Sequence, residues 1–213
     1  MTSSNDKAQD AAGEFRSVAV FCGSSPGKAP EHMALATRTG EFIAETGLRL
    51  VYGGGGLGLM GATAMAARDG GADVLGVIPE VLREVEATLS GIEHEFVDDM
   101  HERKILMYEE ADAFLILPGG IGTLEEAVEV LSWQRLNLHN KPIVFLSDTN
   151  YWDHLLAEFE RIMEQGFASR DMENDILTAT TVEDAFAIMR DRVENPQARK
   201  PLQIRDVSVE DLA

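Results

Sequence analysis

The sequence predicts an α/β protein built as a doubly wound parallel sheet with helices on both faces. Three observations lead there. Short apolar runs such as Val18-Ala19-Val20-Phe21 and Ala113-Phe114-Leu115-Ile116-Leu117 alternate with stretches of helical period, the pattern of βαβ units. Glycine clusters follow three of those runs, where a strand must turn into a helix. The 213 residues, 45% of them hydrophobic, suffice for one domain with a full core.

Residues 17–22 read as the first strand, leaving through Gly23-Ser24-Ser25-Pro26-Gly27, and residues 31–46 as the first helix. A second strand at 48–52 is broken by Gly53-Gly54-Gly55-Gly56, and 59–68 is helical in pattern. Residues 73–78 form a third strand; 80–91 is irregular, with one short helix; 95–97 is a short strand and 101–110 a helix. The 113–117 strand then feeds a helix over 123–136, whose Leu124, Ala127, Val128 and Leu131 recur at helical spacing. A strand at 142–146 and helices at 152–165 and 181–192 complete the domain, expected to span 16–193. A polar tail, 1–15, precedes it without the apolar core of a secretory signal, and a polar, proline-punctuated tail, 194–213, expected to be poorly ordered, follows.

Composition excludes several classes. A net charge of −19 would repel a phosphate polymer, so no nucleic-acid partner is expected. No apolar run approaches 18 residues, so no membrane span is expected. The single cysteine, Cys22, forbids an intrachain disulfide and fits a reducing, cytoplasmic setting. The five histidines show no paired-ligand spacing, so no metal is expected. A chain this acidic must hold any anionic ligand locally, with backbone N–H groups and one or two placed cations.

Pro118-Gly119-Gly120-Ile121-Gly122-Thr123-Leu124-Glu125-Glu126 is where this can happen. A strand ends, glycines turn the chain, and a helix begins, which is a cradle for phosphate. No Lys-Ser/Thr follows the glycines, so it is not a P-loop, and the spacing is not GxGxxG. Glu125 and Glu126 fall in the expected first turn of the helix, so chemistry on a phosphorylated small molecule is indicated. The pattern alone also allows structural roles. Thr123 and Glu126 form a capping box, three glycines suit any tight strand-to-helix turn, and Arg103 reads as an exposed arginine on a charged turn. Cys22 reads as a small buried residue and Met107 as core.

The run matches PGGxGTxxE and resembles the signature of the Lonely Guy family, the cytokinin riboside 5′-monophosphate phosphoribohydrolases. Phe21-Cys22-Gly23-Ser24-Ser25, the glycine loop over 53–61, Met100-His101-Glu102-Arg103-Lys104, and Trp133-Gln134 with His139-Asn140-Lys141-Pro142 carry the likeness further, from Val18 to Ile188. The resemblance implies a Rossmann-like fold and hydrolysis of the N-glycosidic bond of an N6-modified adenosine 5′-monophosphate or AMP. It implies catalytic roles for Arg103 and Glu126. For substrate binding it implies Ser24, Glu86, Lys104, Gly119, Gly120, Gly122, Thr123, Leu124, Glu125 and Ser132. Relatives often carry a histidine two residues after Glu86, where this chain has Thr88. The resemblance further implies a homodimer, with Trp133 in the core or at its interface, and no cofactor. Two alternatives stay open: a carrier that holds a nucleotide-like ligand uncleaved on the same scaffold, and a pyridoxal-dependent decarboxylase, the label such sequences have often received.

Overall fold

A computed structural model of the protein describes residues 13–196; the remainder of both expected tails lies outside the described residues. Seven strands make one wholly parallel sheet: β1 (Ser17–Phe21), β2 (Arg49–Tyr52), β3 (Val74–Pro79), β4 (Glu93–Val97), β5 (Ala113–Ile116), β6 (Ile143–Leu146) and β7 (Leu177–Ala179). Their order is β4-β3-β2-β1-β5-β6-β7. The helices are α1 (Pro30–Glu45), α2 (Gly58–Asp69), α3 (Met100–Glu109), α4 (Ile121–Arg135), α5 (Asp153–Glu164) and α6 (Val182–Glu194).

The two-residue period of each strand sorts its side chains between two cores. From β1, Val18 and Val20 point to one core and Ala19 and Phe21 to the other; β5 does the same with Ala113 and Leu115 against Phe114 and Ile116. The first core is closed by Leu35, Ala36 and Ile43 of α1, Ala64 and Ala67 of α2, and Phe186 and Met189 of α6. Met107 of α3, Ala127 and Val130 of α4, and Phe159 and Met163 of α5 close the second. Strands buried on both faces read as unbroken apolar runs, which is why the central strands were legible. Packing begins at Phe15, the last residue of the expected tail, whose ring lies 6.4 Å from that of Phe186.

Three of the differences between expected and observed elements have a physical reason in the fold. β7 went unpredicted because its three residues, half-buried or exposed, carry no apolar run. β4 starts two residues earlier than expected; Glu93 and Glu95 face outward on an edge strand, so the apolar signal covers only part of it. The third difference, at the start of α4, bears on the site.

The family-like segment at 139–142 is a structural fastening. The Lys141 N–H donates to His139 Nδ1 (3.1 Å), so the imidazole donates from Nε2 to the Val130 carbonyl (2.9 Å). The Lys141 ammonium donates to the Tyr108 carbonyl at the end of α3 and lies 4.0 Å from the Tyr108 ring centre. Trp133 is half-buried, its ring edge-on to Tyr108 at 5.5 Å.

Candidate active site

β1 is the point at which the strand order reverses, and the loops leaving β1, β2 and β5 meet there at the carboxyl edge of the sheet. The Gly23 N–H donates to the Pro118 carbonyl (3.0 Å), and the Gly23 carbonyl accepts from Leu59 (3.0 Å) and Met60 (3.2 Å). The β1 exit is therefore the hub joining the other two glycine loops. Ser24 sits exposed at its rim.

The β5 exit departs from expectation. α4 begins at Ile121 with Gly120 as its N-cap, so Thr123 lies inside the first turn and the capping box is not formed. Glu125 and Glu126 belong to the second turn, and no acid occupies the first. The first helical bond runs from Leu124 N–H to the Gly120 carbonyl (3.0 Å), and no side chain caps the end. Among the described residues the N–H groups of Gly120, Ile121, Gly122 and Thr123 have no partner. They form the positive end of the helix dipole, and the first turn carries no carboxylate to compete for them. A Cβ placed at Gly120 or Gly122 meets nothing within 4 Å, whereas one at Gly119 would overlap Thr123 Oγ1 and crowd Gly23 N. Packing thus requires glycine at 119, while at 120 and 122 the absent Cβ leaves open space around the unpartnered N–H groups.

Arg103 is buried rather than exposed, with 8% of its surface accessible. Asp99 caps α3 by accepting from the N–H groups of His101 (2.8 Å) and Glu102 (2.9 Å), which sets the helix so that Arg103 points under the glycine loops. Its Nε donates to the Val77 carbonyl and its Nη2 to the Gly53 carbonyl, both at 3.2 Å. Any Cβ on Gly53 would overlap that Nη2, which is the reason for glycine at the β2 exit. Nη1 lies 3.5 Å from Glu126 Oε1, and Glu126 is itself 9% exposed.

Burial pushes the Glu126 carboxyl up to about 7 from an ordinary 4.5, against the opposing Arg103 guanidinium and with help from the Glu125 charge. A carboxyl so placed can give or take a proton near neutrality. Burial, and secondarily the Glu126 charge, also raise the Cys22 thiol, so Cys22 is no nucleophile and behaves as core. Lys104 bridges Glu125 (2.6 Å) and Glu129 (2.9 Å), tying α3 to α4 beside the acid. Burial lowers its ammonium's affinity for the proton, and the hydrogen bonds it donates to both carboxylates outweigh that to raise it.

Glu86 is half-buried, with its carboxylate against Gly55 of the second glycine loop. Leu124 is half-buried on α4 beside the cradle. Ser132 is not gathered in: it is exposed nine residues along α4 from Thr123, roughly 14 Å down the axis. Tyr151 went unnoticed in the sequence, since nothing local marks it; its hydroxyl donates to the Gly119 carbonyl at 2.6 Å.

The family profile described as "Possible lysine decarboxylase" matches residues 60–189. The cytokinin riboside 5′-monophosphate phosphoribohydrolase of Rhodococcoides fascians is 46% identical over 177 residues, covering 82% of this chain and 89% of that protein. One of that name from Arabidopsis thaliana is 43% identical over 171 residues, covering 80% and 79%. Among solved structures, the molybdenum cofactor binding protein of Rippkaea orientalis superposes with a TM-score of 0.64 at 19% identity, over 84% of this chain and 98% of that one. The molybdenum cofactor carrier protein of Chlamydomonas reinhardtii gives 0.60 at 19%, over 82% and 95%. At such identity these two establish the shared Rossmann-like fold alone.

Proposed function

The chain belongs to the cytokinin riboside 5′-monophosphate phosphoribohydrolase family, the Lonely Guy family, and from that membership and the site geometry we propose that it hydrolyses the N-glycosidic bond of AMP or its N6-modified forms. The observation that carries the proposal is the placing of a buried, proton-competent carboxyl on the same helix as an open phosphate cradle. Glu126 lies four residues beyond Gly122, about 6 Å along the axis, a span suited to the two ends of a ribose 5-phosphate.

With the phosphate on the N–H groups of residues 120–123, the anomeric carbon comes beside Glu126. The C1′–N9 bond breaks and its electron pair leaves on the base. Water adds its oxygen to C1′, Glu126 takes the proton that water sheds, solvent protonates the departing base, and Glu126 returns its proton to solvent to close the cycle. The intervening ribosyl cation is stabilised by a carboxylate. A guanidinium does not give up its proton near neutrality, so Arg103 orients Glu126 and supplies positive charge. Glu125 and Glu86 are suited to ribose hydroxyls and base, and Ser24 and Lys104 to the cleft wall. The two half-buried lysines give little support for Schiff-base chemistry: Lys104 is committed to two carboxylates and Lys141 to the Tyr108 carbonyl.

Pure protein given AMP and adenosine in parallel should release adenine from AMP with kcat/KM at least about 10²-fold higher, because the phosphate anchor contributes binding far from the reacting carbon. Liquid chromatography of the released base measures this; equal turnover would sink the anchor, and uncleaved AMP after long incubation would favour a carrier.

A homodimer is part of the proposal. Ile121, Val128 and Leu136 are exposed along one side of α4, an apolar stripe beside the cleft. Sedimentation velocity should give twice the chain mass, and a monomer at micromolar concentration would overturn it. The net charge of −19 supports a partner list without nucleic acid. No helix among the described residues is long and apolar enough to cross a membrane. The lone buried thiol of Cys22 supports a cytoplasmic location, which recovery of the protein from a secreted fraction would contradict.

A further inference from the structure

We propose that Tyr151 is a positioning residue for the phosphate cradle, holding the Gly119–Gly120 peptide so that the Gly120 N–H faces the anion. The phosphate as ligand follows from the reading above; the role of Tyr151 comes from the geometry of one peptide unit.

The Tyr151 hydroxyl donates to the Gly119 carbonyl at 2.6 Å, at the short end for an O–H···O bond. All described peptide bonds are trans, so the carbonyl of residue 119 and the N–H of residue 120 point in opposite directions. Drawing the carbonyl toward the β6 exit therefore turns the N–H of Gly120 away from it, toward the open end of α4, where it has no protein partner. A peptide between two glycines has little intrinsic orientation. The Cβ that would restrict it at 120 is absent, and the space around that Cβ is empty. Something outside the motif must fix the plane, and Tyr151 makes the one side-chain hydrogen bond to it among the described residues. The bond also polarises the peptide, making its N–H a better donor.

Tyr151 is itself held. Its N–H donates to Ser147 Oγ (2.9 Å), and Ser147 is buried at the end of β6. Its ring meets Trp152 edge-on at 4.8 Å and His32 of α1 edge-on at 5.5 Å. The tether thus runs from α1 and the loop after β6 to the loop after β5. The hydroxyl alone makes the contact, so phenylalanine at 151 removes it and leaves the ring packing in place.

The test is calorimetric titration of Tyr151→Phe with ribose 5-phosphate, alongside steady-state turnover of AMP. The dissociation constant for ribose 5-phosphate and the KM for AMP should both rise about 3- to 10-fold, the scale of one hydrogen bond. Saturated kcat, affinity for free adenine and melting temperature should match wild type. Unchanged affinity for ribose 5-phosphate overturns the proposal. So does a uniform loss, in which adenine affinity and melting temperature fall together, because that marks a merely structural residue. Wild-type protein that binds ribose 5-phosphate yet leaves AMP intact would refute the reaction proposed above, and the two dissociation constants would still decide the role of Tyr151.

Discussion

Glu126→Gln should lose about 10²-fold or more of AMP turnover while keeping its fold and its affinity for AMP, the loss expected for a removed acid–base and electrostatic group. The substitution is isosteric in a site only 9% exposed, so packing is preserved. Glu126 does not cap α4, so no helix end is lost with it. The wild-type enzyme carries the complementary signature. With Glu126 ionising at about 7, kcat/KM should climb with pH up to neutrality and then level, and in Glu126→Gln that climb should vanish.

Stability moves in the opposite direction. The native state holds the Glu126 proton up to about 7, whereas an unfolded glutamate releases it near 4.5. Between those two values the folded chain binds more protons than the unfolded one, so wild-type stability falls as pH rises through this window, by roughly 3 kcal/mol in all. The contribution is complete below 4.5 and gone above about 7. Glu126→Gln has no such loss, so its melting temperature should exceed wild type at pH 8, with the gap closing toward pH 5. Scanning calorimetry across that range measures it. Near-normal turnover would move the catalytic role to Glu125, and a melting difference independent of pH would contradict the buried ionisation.

Arg103→Ala should also lose at least about 10²-fold in turnover, but it should destabilise the fold too. The guanidinium satisfies the Val77 and Gly53 carbonyls and neighbours Glu126 inside the protein. Truncation leaves all three acceptors without it, a class of change costing on the order of 3–5 kcal/mol. Part of that is relieved because Glu126, deprived of its cation, can keep its proton to still higher pH. The ascending limb of the pH–rate profile should accordingly move up. Arg103→Lys separates charge from geometry: an ammonium restores the charge and cannot span three acceptors as the planar fork does. It should melt between wild type and Arg103→Ala, with turnover nearer the latter. At least half of wild-type activity in a folded Arg103→Lys would remove the geometric role, and the same in Arg103→Ala would remove the residue from the mechanism.

The acids and the arginine were visible as residue types in a motif, but their environments were not. Arg103 lies in a charged segment, His101-Glu102-Arg103-Lys104, whose neighbours are exposed or half-buried, and local composition argues for solvent. Its burial comes from β3 and the exit of β2, whose Val77 and Gly53 carbonyls are its acceptors. The start of α4 misled for a related reason. Thr-x-x-Glu is a sound local capping pattern, yet the chain turns helical earlier, at Ile121 after Gly120, and Thr123 packs inside the first turn against Gly119 instead of capping it.

What the sequence determined by itself was everything carried by short-range pattern: the alternation that makes a wholly parallel sheet, the three glycine turns at its carboxyl edge, and the strand–glycine–helix turn with acids one turn beyond. Backbone sterics and side-chain periodicity act over a few residues, so they can be read from a few residues. The strand order, with β1 between β2 and β5, was settled only in three dimensions. That order brings Arg103 to Glu126, sets the acid in a medium dry enough to raise it to about 7, and carries Tyr151 to a carbonyl 32 residues away. Desolvation and through-space charge depend on what surrounds a group rather than on what precedes it in the chain, and only the folded packing supplies those surroundings.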